Sequence, residues 1–192
     1  MMTAHMTERS IRVSRYLPLV LTAIIVIIDQ ITKAFIVANV QRIEFSGFAI
    51  EVFGDFLRII HTRNPGIAFS IGRGLPDGIR RLVFTILPAI VLAGLLAYYI
   101  RVDAFTRFQR WAVAGIIGGG LGNLIDRVFR PEGVVDFVDV KFYGIFGFDR
   151  WPTFNVADAT VVVCGILLMI GLLFQPPPSA AQPSEAEHEQ EN

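Results

Sequence analysis

The sequence predicts an all-α polytopic membrane protein, with four transmembrane helices and a small β-rich segment lying on the membrane. Three observations carry that prediction. Of the 192 residues, 53% are hydrophobic and 18% charged, which is too apolar for an ordinary soluble domain. The apolar residues are gathered into runs close to the roughly 20 residues that a helix needs to cross a hydrocarbon core. Between the first two runs lies an excursion, residues 41–81, in which β-formers cluster.

Taken in order, residues 1–16 form a polar arm with Arg9, Arg12 and Arg15. The first span covers 17–40. It is longer than the apolar core of a secretory signal, contains Asp29 and Lys33, and lacks a small-x-small exit, so it reads as a retained helix. In the excursion, the stretches Arg42 to Ile50 and Phe56 to His61 carry Ile43, Phe45, Ile59 and Ile60 and read as a small sheet. Asn64-Pro65-Gly66 then supplies a turn, since Pro fixes one dihedral and Gly permits the other. The second span, 82–100, holds no charge at all. The third, 106–126, is glycine-rich; Gly115 with Gly119, and Gly118 with Gly122, make small-xxx-small pairs that allow close helix approach. A second excursion, 127–152, falls on the same side as the first and carries Asp136. The fourth span covers 153–174, which makes 17–174 one membrane domain. Residues 175–192 are a Pro-, Glu- and Gln-rich tail that cannot bury a core and is expected to be disordered. No internal repeat of the kind that marks many transporters is visible, so the helices read as a single bundle.

Composition also excludes functions. Net charge is zero, so no basic field points to nucleic acid. The single cysteine, Cys164, permits neither an internal disulfide nor a cysteine-based metal site, and His5, His61 and His188 show no ligand spacing, so no metal and no cofactor is expected. Four spans place both termini on one side. Lys and Arg counts do not choose that side: the arm and the loop after Ile100 hold six, the opposite side ten. The short arginine-bearing arm next to the first span favours a cytoplasmic N-terminus.

Polar residues at the mouths of apolar helices are the candidates for chemistry, because an ionisable group near hydrocarbon is costly unless paired or wetted. Asp29 and Lys33, four apart, share a helical face in the favourable order and read as a buried pair that orders the bundle, affecting folding rather than turnover; Lys33 could alternatively snorkel to the interface. Asn123, Asp126 and Arg127 share a face of the third span, and Arg127 can satisfy Asp126, reach an acidic lipid or bind loop backbone, which makes Asp126 a scaffold rather than a general acid. At the start of the fourth span Asn155 suits a helix cap, while Asp158 reads as lying past the cap. Paired with Asp136, Asp158 would give a poorly hydrated carboxylate pair that shares a proton, one member a base towards water and the other an acid. On spacing alone Asp126, Asp139 and Asp149 compete for these roles. Other hydrolytic chemistries lack parts: there is no Gly-x-Ser-x-Gly, no histidine within a span, no Gly-x-Gly-Asp and no His-Glu-x-x-His.

Five ordered motifs, Asp29-Gln30-Ile31-Thr32-Lys33, Arg63-Asn64-Pro65-Gly66-Ile67-Ala68-Phe69, Gly118 to Arg127, Val134-Val135-Asp136-Phe137 and Phe154-Asn155-Val156-Ala157-Asp158, make the chain resemble the lipoprotein signal peptidase family, also called signal peptidase II. The resemblance covers about Asp29 to Ala159. It implies a four-helix inner-membrane aspartyl endopeptidase with both termini cytoplasmic, a small extracytoplasmic β-cradle and a short amphipathic helix on the outer face. It implies cleavage of bacterial prolipoproteins just before a diacylglyceryl-modified cysteine. By position, the catalytic aspartates fall on Asp136 and Asp158; Asn64, Gly66, Gly122, Asn123, Arg127 and Asn155 match site-shaping positions, with Asp126 beside them, and Asp29 and Lys33 match the first-helix motif. Partners implied are prolipoprotein substrates, membrane lipid and a globomycin-type inhibitor, with the enzyme acting as a monomer. The segment from Asp136 to Asp158 is longer than that resemblance leads one to expect, which bears on substrate preference. The rival from another class is a non-enzymatic scaffold or small carrier whose buried charges only order the helices.

Overall fold

The computed structural model describes residues 15–66, 76–103 and 105–174. Expectations for most of the N-terminal arm, for the tail 175–192 and for Ile67-Ala68-Phe69 lie outside the described residues. Helices α1 (Leu19–Asn39), α3 (Asp77–Arg101), α4 (Arg107–Phe129) and α5 (Val156–Leu173) form the bundle, and each holds a window long and apolar enough to cross a membrane. Strands β1 (Ile50–Phe53), β2 (Leu57–Asn64) and β3 (Val134–Val140) form an antiparallel sheet in the order β1-β2-β3.

One segment departs from the strand reading. Within Arg42 to Ile50, a one-turn helix α2 (Ile43–Ser46) replaces the expected strand, and only Ile50 enters the sheet. The turn closes at Gly47, whose φ of 63° is left-handed, and the Ser46 hydroxyl and the Gly47 N–H bond back to Arg42 and Ile43 carbonyls. β-branched and aromatic residues were a weak guide here because little of their surface is buried by a sheet: Phe45 is 83% exposed.

Helix α4 is the hub. More than half of its apolar window is buried, against 6% for α3 and for α5, and its glycines meet all three other helices. A Cβ on Gly115 or Gly119 would strike α5, on Gly118 it would strike α1, and on Gly120 it would strike Leu92 of α3. The start of α4 is set by a reciprocal capping box between Thr106 and Gln109. On α1, buried Thr22, Ile25, Asp29, Lys33 and Ile36 form one stripe at helical spacing.

The sheet is pinned to the end of α1 by a cluster of Ile36, Val40, Val135 and Phe137. Because side chains alternate along a strand, seating Val135 and Phe137 on this core turns Asp136 to the opposite face. In the register, Asp136 stands across from Thr62 and Val134 from Asn64, after a bulge between Ile59 and Thr62.

At the far end of β3, Asp139 is 2% exposed and accepts from Arg58 (Nε 2.9 Å, Nη2 2.7 Å) and from Arg150 Nε (2.8 Å). Arg150 also reaches Asp55 on the β1–β2 turn, so the clasp ties the hairpin to the segment before α5. These bonds commit Asp139 structurally. Asp139→Asn is expected to lower stability by about 1–3 kcal/mol, the range for stripping charged hydrogen bonds from partners that remain partly wetted. A thermal melt in detergent checks this, and the turnover of the folded fraction should stay at the wild-type level.

Candidate active site

Each candidate residue sits at the bundle end that carries the sheet. Asn155 is the N-cap of α5: its Oδ1 accepts from the Asp158 N–H at 3.0 Å, and the Asp158 carboxylate accepts from the Asn155 N–H at 3.2 Å. Asp158 therefore closes a capping box at the third helical position, which corrects the expectation that it lies past the cap. Asn155 has a second task. Its Nδ2 donates to Asp136 Oδ1 at 2.7 Å and to Asn123 Oδ1 at 3.1 Å. The two carboxylates thus converge on one residue.

Each carboxylate has a further amide partner. Asp136 Oδ2 accepts from Asn64 Nδ2 at 3.1 Å, and Asp158 Oδ1 accepts from Asn123 Nδ2 at 2.7 Å. Asn64 is itself locked by the turn that follows, since its Oδ1 accepts from the Gly66 N–H at 3.0 Å. Gly66 has φ 99°, and a Cβ there would fall 2.7 Å from the Phe84 ring, so only glycine suits this turn. Asp136 is 2% exposed. Burial, reinforced by the Asp158 carboxylate, pushes its pKa up to about 7, against the pull of the Asn64 and Asn155 amides and of Lys33.

Beneath the pair lies an ion cluster. Lys33, fully buried, contacts Asp29 Oδ2 at 2.8 Å, Asp126 Oδ2 at 3.1 Å and Asn123 Oδ1 at 2.9 Å. It does not snorkel; it lies six residues before the end of α1, about 9 Å along the helix axis. The pair with Asp29 is not self-contained either, because Asp126 shares the lysine. Asp126 is further held by Arg130 (3.2 Å), Gln30 (3.1 Å) and the Val135 N–H (3.1 Å). Arg130, not Arg127, pairs with it: i to i+4 spacing places Arg130 over the Asp126 turn. Gln30 and Arg130 were missed in the sequence, although Gln30 adjoins Asp29 and Arg130 stands four residues after Asp126.

Gly122 gives the cluster its room. A Cβ there would sit 2.6 Å from Asp29 Oδ2, and Asp29 Oδ1 in turn accepts from the Ala157 N–H at 3.0 Å. The first-helix acid thus reaches the residue next to Asp158. Arg127 lies near enough to Asp158, Asp136 and Asp126 to feel their charge. Its Nε is buried with no hydrogen-bond partner among the described residues, and it also lines a groove of about 340 Å³ between α3 and α4 with Gly78, Leu82, Thr85, Ile86 and Val128. Asp149, the remaining rival carboxylate, is exposed.

The constellation can hold one proton between two carboxylates oriented by three asparagines, the requirement for adding water to an amide with an acid and a base in place. The model of the signal peptidase (SPase) II family matches residues 21–174. The lipoprotein signal peptidase of Treponema pallidum is 49% identical over 174 residues, covering 91% of this chain and 92% of that protein. The protein of the same name in Treponema denticola is 48% identical, covering 83% and 90%. Two solved structures described as bacterial membrane enzymes share the fold, with TM-scores of 0.70 and 0.68 at 33% and 34% identity, covering 86% and 83% of this chain and 92% and 94% of theirs.

Proposed function

Because the chain belongs to the signal peptidase II family, we propose that it is an aspartyl endopeptidase that removes signal peptides from bacterial prolipoproteins, cleaving before the diacylglyceryl-modified cysteine. The single observation that carries this reading is the convergence of Asp136 and Asp158 on Asn155. Water between the two carboxylates attacks the scissile carbonyl directly, so no acyl-enzyme forms. Asn64, held by Gly66, presents an amide beside Asp136, where an extended peptide would pass.

The substrate is captured laterally. Its signal helix and acyl chains are already in the bilayer, and the groove between α3 and α4 opens among apolar side chains with Arg127 at its wall. The protein resides in the inner membrane with both termini cytoplasmic and the pair near the outer face. With four spans the start of α1 and the end of α5 share one side, and the sheet lies at the opposite end with the carboxylates. It acts as a monomer without a cofactor, and a globomycin-type cyclic peptide inhibits it.

The test is cleavage of a diacylglyceryl-modified prolipoprotein by purified protein in lipid, followed by gel shift, with and without EDTA. Cleavage unaffected by the chelator is expected. An enzyme inert on lipidated substrate, or one that EDTA silences, would overturn the assignment.

A further inference from the structure

We infer that Lys33 is a positioning residue of the reaction: by fixing the amide of Asn123 it holds Asp158 as the ionised member of the pair and leaves the single proton on Asp136. This rests on the proposed peptidase reading and goes beyond the family resemblance, which places Lys33 only in a first-helix motif.

The argument begins with donors and acceptors. An asparagine side chain has one acceptor end and one donor end, whereas a lysine ammonium can only donate. Asn123 Oδ1 accepts from Lys33 Nζ at 2.9 Å and from Asn155 Nδ2 at 3.1 Å. Rotating the amide by half a turn would set its NH2 against two donors. The NH2 must therefore face Asp158, to which it donates at 2.7 Å. All three ammonium N–H bonds are accounted for by Asp29, Asp126 and Asn123, so the lysine has no alternative pose.

The two carboxylates are then unequal. Asp158, in the first turn of α5 where the helix dipole favours a negative charge, accepts from Asn123 and from the backbone N–H of the N-cap Asn155. Asp136 lies on a strand rather than within a helical turn, and its side-chain partners are the amides of Asn64 and of Asn155, the N-cap of α5. Charge balance agrees. The set contains four carboxylates, Asp29 and Asp126 beneath and Asp136 and Asp158 above, and three cations: Lys33, Arg130 paired with Asp126, and Arg127, which feels Asp158, Asp136 and Asp126. Poorly hydrated charge is tolerated when it is compensated, and one proton makes this set neutral.

The step follows. Asp158 takes a proton from water as the water oxygen bonds to the scissile carbonyl carbon, and Asp136 gives its proton to the carbonyl oxygen, producing a neutral gem-diol. The C–N bond then breaks; Asp158 passes its proton to the departing amine, and Asp136 recovers one from a diol hydroxyl.

The test is steady-state kinetics on the lipidated prolipoprotein for wild type, Lys33→Met and Lys33→Met/Asp126→Asn, with the folded fraction of each measured by size-exclusion and thermal melt. The single variant strands buried carboxylates. The double variant is neutral again with Asp29 and Asp158 against Arg127 and Arg130, and it should recover stability. The expected result is a kcat per folded molecule reduced about 100-fold in both variants, the scale of a small misplacement at a reacting group, with KM within about twofold of wild type. If the double variant regains wild-type kcat together with its stability, or Lys33→Met turns over at the wild-type rate, Lys33 is only structural and the inference fails. A wild type inert on the substrate would overturn the peptidase reading itself, and this inference with it.

Discussion

Asp136→Asn and Asp158→Asn are each expected to cut kcat by about 10²–10⁴-fold, the usual worth of a positioned acid or base, while the protein stays folded. An amide keeps the size of the carboxyl but can neither take a proton from water nor give one to the carbonyl oxygen. Combining the two should cost little more than either alone, because the carboxylates act as one unit. Gel-shift rates on lipidated substrate measure the loss. The Asp136 variant also carries a pH signature. The folded protein raises this carboxyl from an ordinary value of 3.8 to about 7, so it binds the proton more tightly than the unfolded chain does. The sign follows from linkage. Its contribution to stability is fully present below about pH 3.8 and is lost as pH rises through about 7. Removing the carboxyl removes that slope. The melting temperature of Asp136→Asn, taken relative to wild type, should therefore climb between about pH 4 and about pH 7 and level off above, whatever offset the amide introduces against its Asn64 and Asn155 donors. A scaffold whose buried charges only order helices shares this pH slope but has no turnover to lose, so the cleavage rate separates the two readings. A flat difference in melting temperature would remove the raised carboxyl value, and a variant that still cleaves would remove Asp136 from the reaction.

The same residues show why some of the design was legible in the sequence and some was not. Length and hydropathy were enough for the four spans, since a helix facing lipid must be apolar along its whole length. The weakest apolar signal, over 106–126, belongs to the most buried helix: α4 packs against all three other helices, so glycine replaces leucine at its contacts and hydropathy falls. The Asp29–Lys33 spacing disclosed a shared face, and Asp136 and Asp158 were legible as acids at helix mouths. What spacing could not disclose was partnership between elements. Asp126 finds Lys33 on α1 and the Val135 N–H on β3, contacts fixed only when the bundle closes. Arg127, its neighbour in sequence, feels Asp126 among the other carboxylates but also borders the α3–α4 groove. Asn155 was legible as a cap, but its bond to Asp136 depends on β3 crossing the start of α5, where Phe154 pairs with Val138.

Gly119→Ala should damage both stability and turnover, whereas Gly120→Ala, one residue later on the same helix, should do neither. A Cβ at Gly119 would lie 2.5 Å from the Ala157 carbonyl oxygen and 2.7 Å from Val161 Cγ2. Backbone cannot step aside as a side-chain tip can, so α5 must move away from α4 or the new methyl must remain overpacked, at a cost of about 1–3 kcal/mol. Ala157 immediately precedes Asp158, and its N–H is tied to Asp29. Any displacement of α5 therefore stretches the 2.7 Å bond from Asn123 to Asp158 and the 2.7 Å bond from Asn155 to Asp136 together. A shift near 1 Å at the reacting groups is enough for a loss of kcat on the order of 100-fold. At Gly120 the new Cβ meets Leu92 Cδ2 at 2.5 Å, the far end of a flexible side chain on α3. Leu92 can change rotamer, and alanine gains about 0.5–1 kcal/mol over glycine inside a helix, so stability should hold or rise slightly. Thermal melts and single-turnover cleavage of the two variants side by side separate the cases. Equal behaviour would mean that the α4–α5 seam is compliant, and that the spacing of the carboxylate pair is set by the sheet alone.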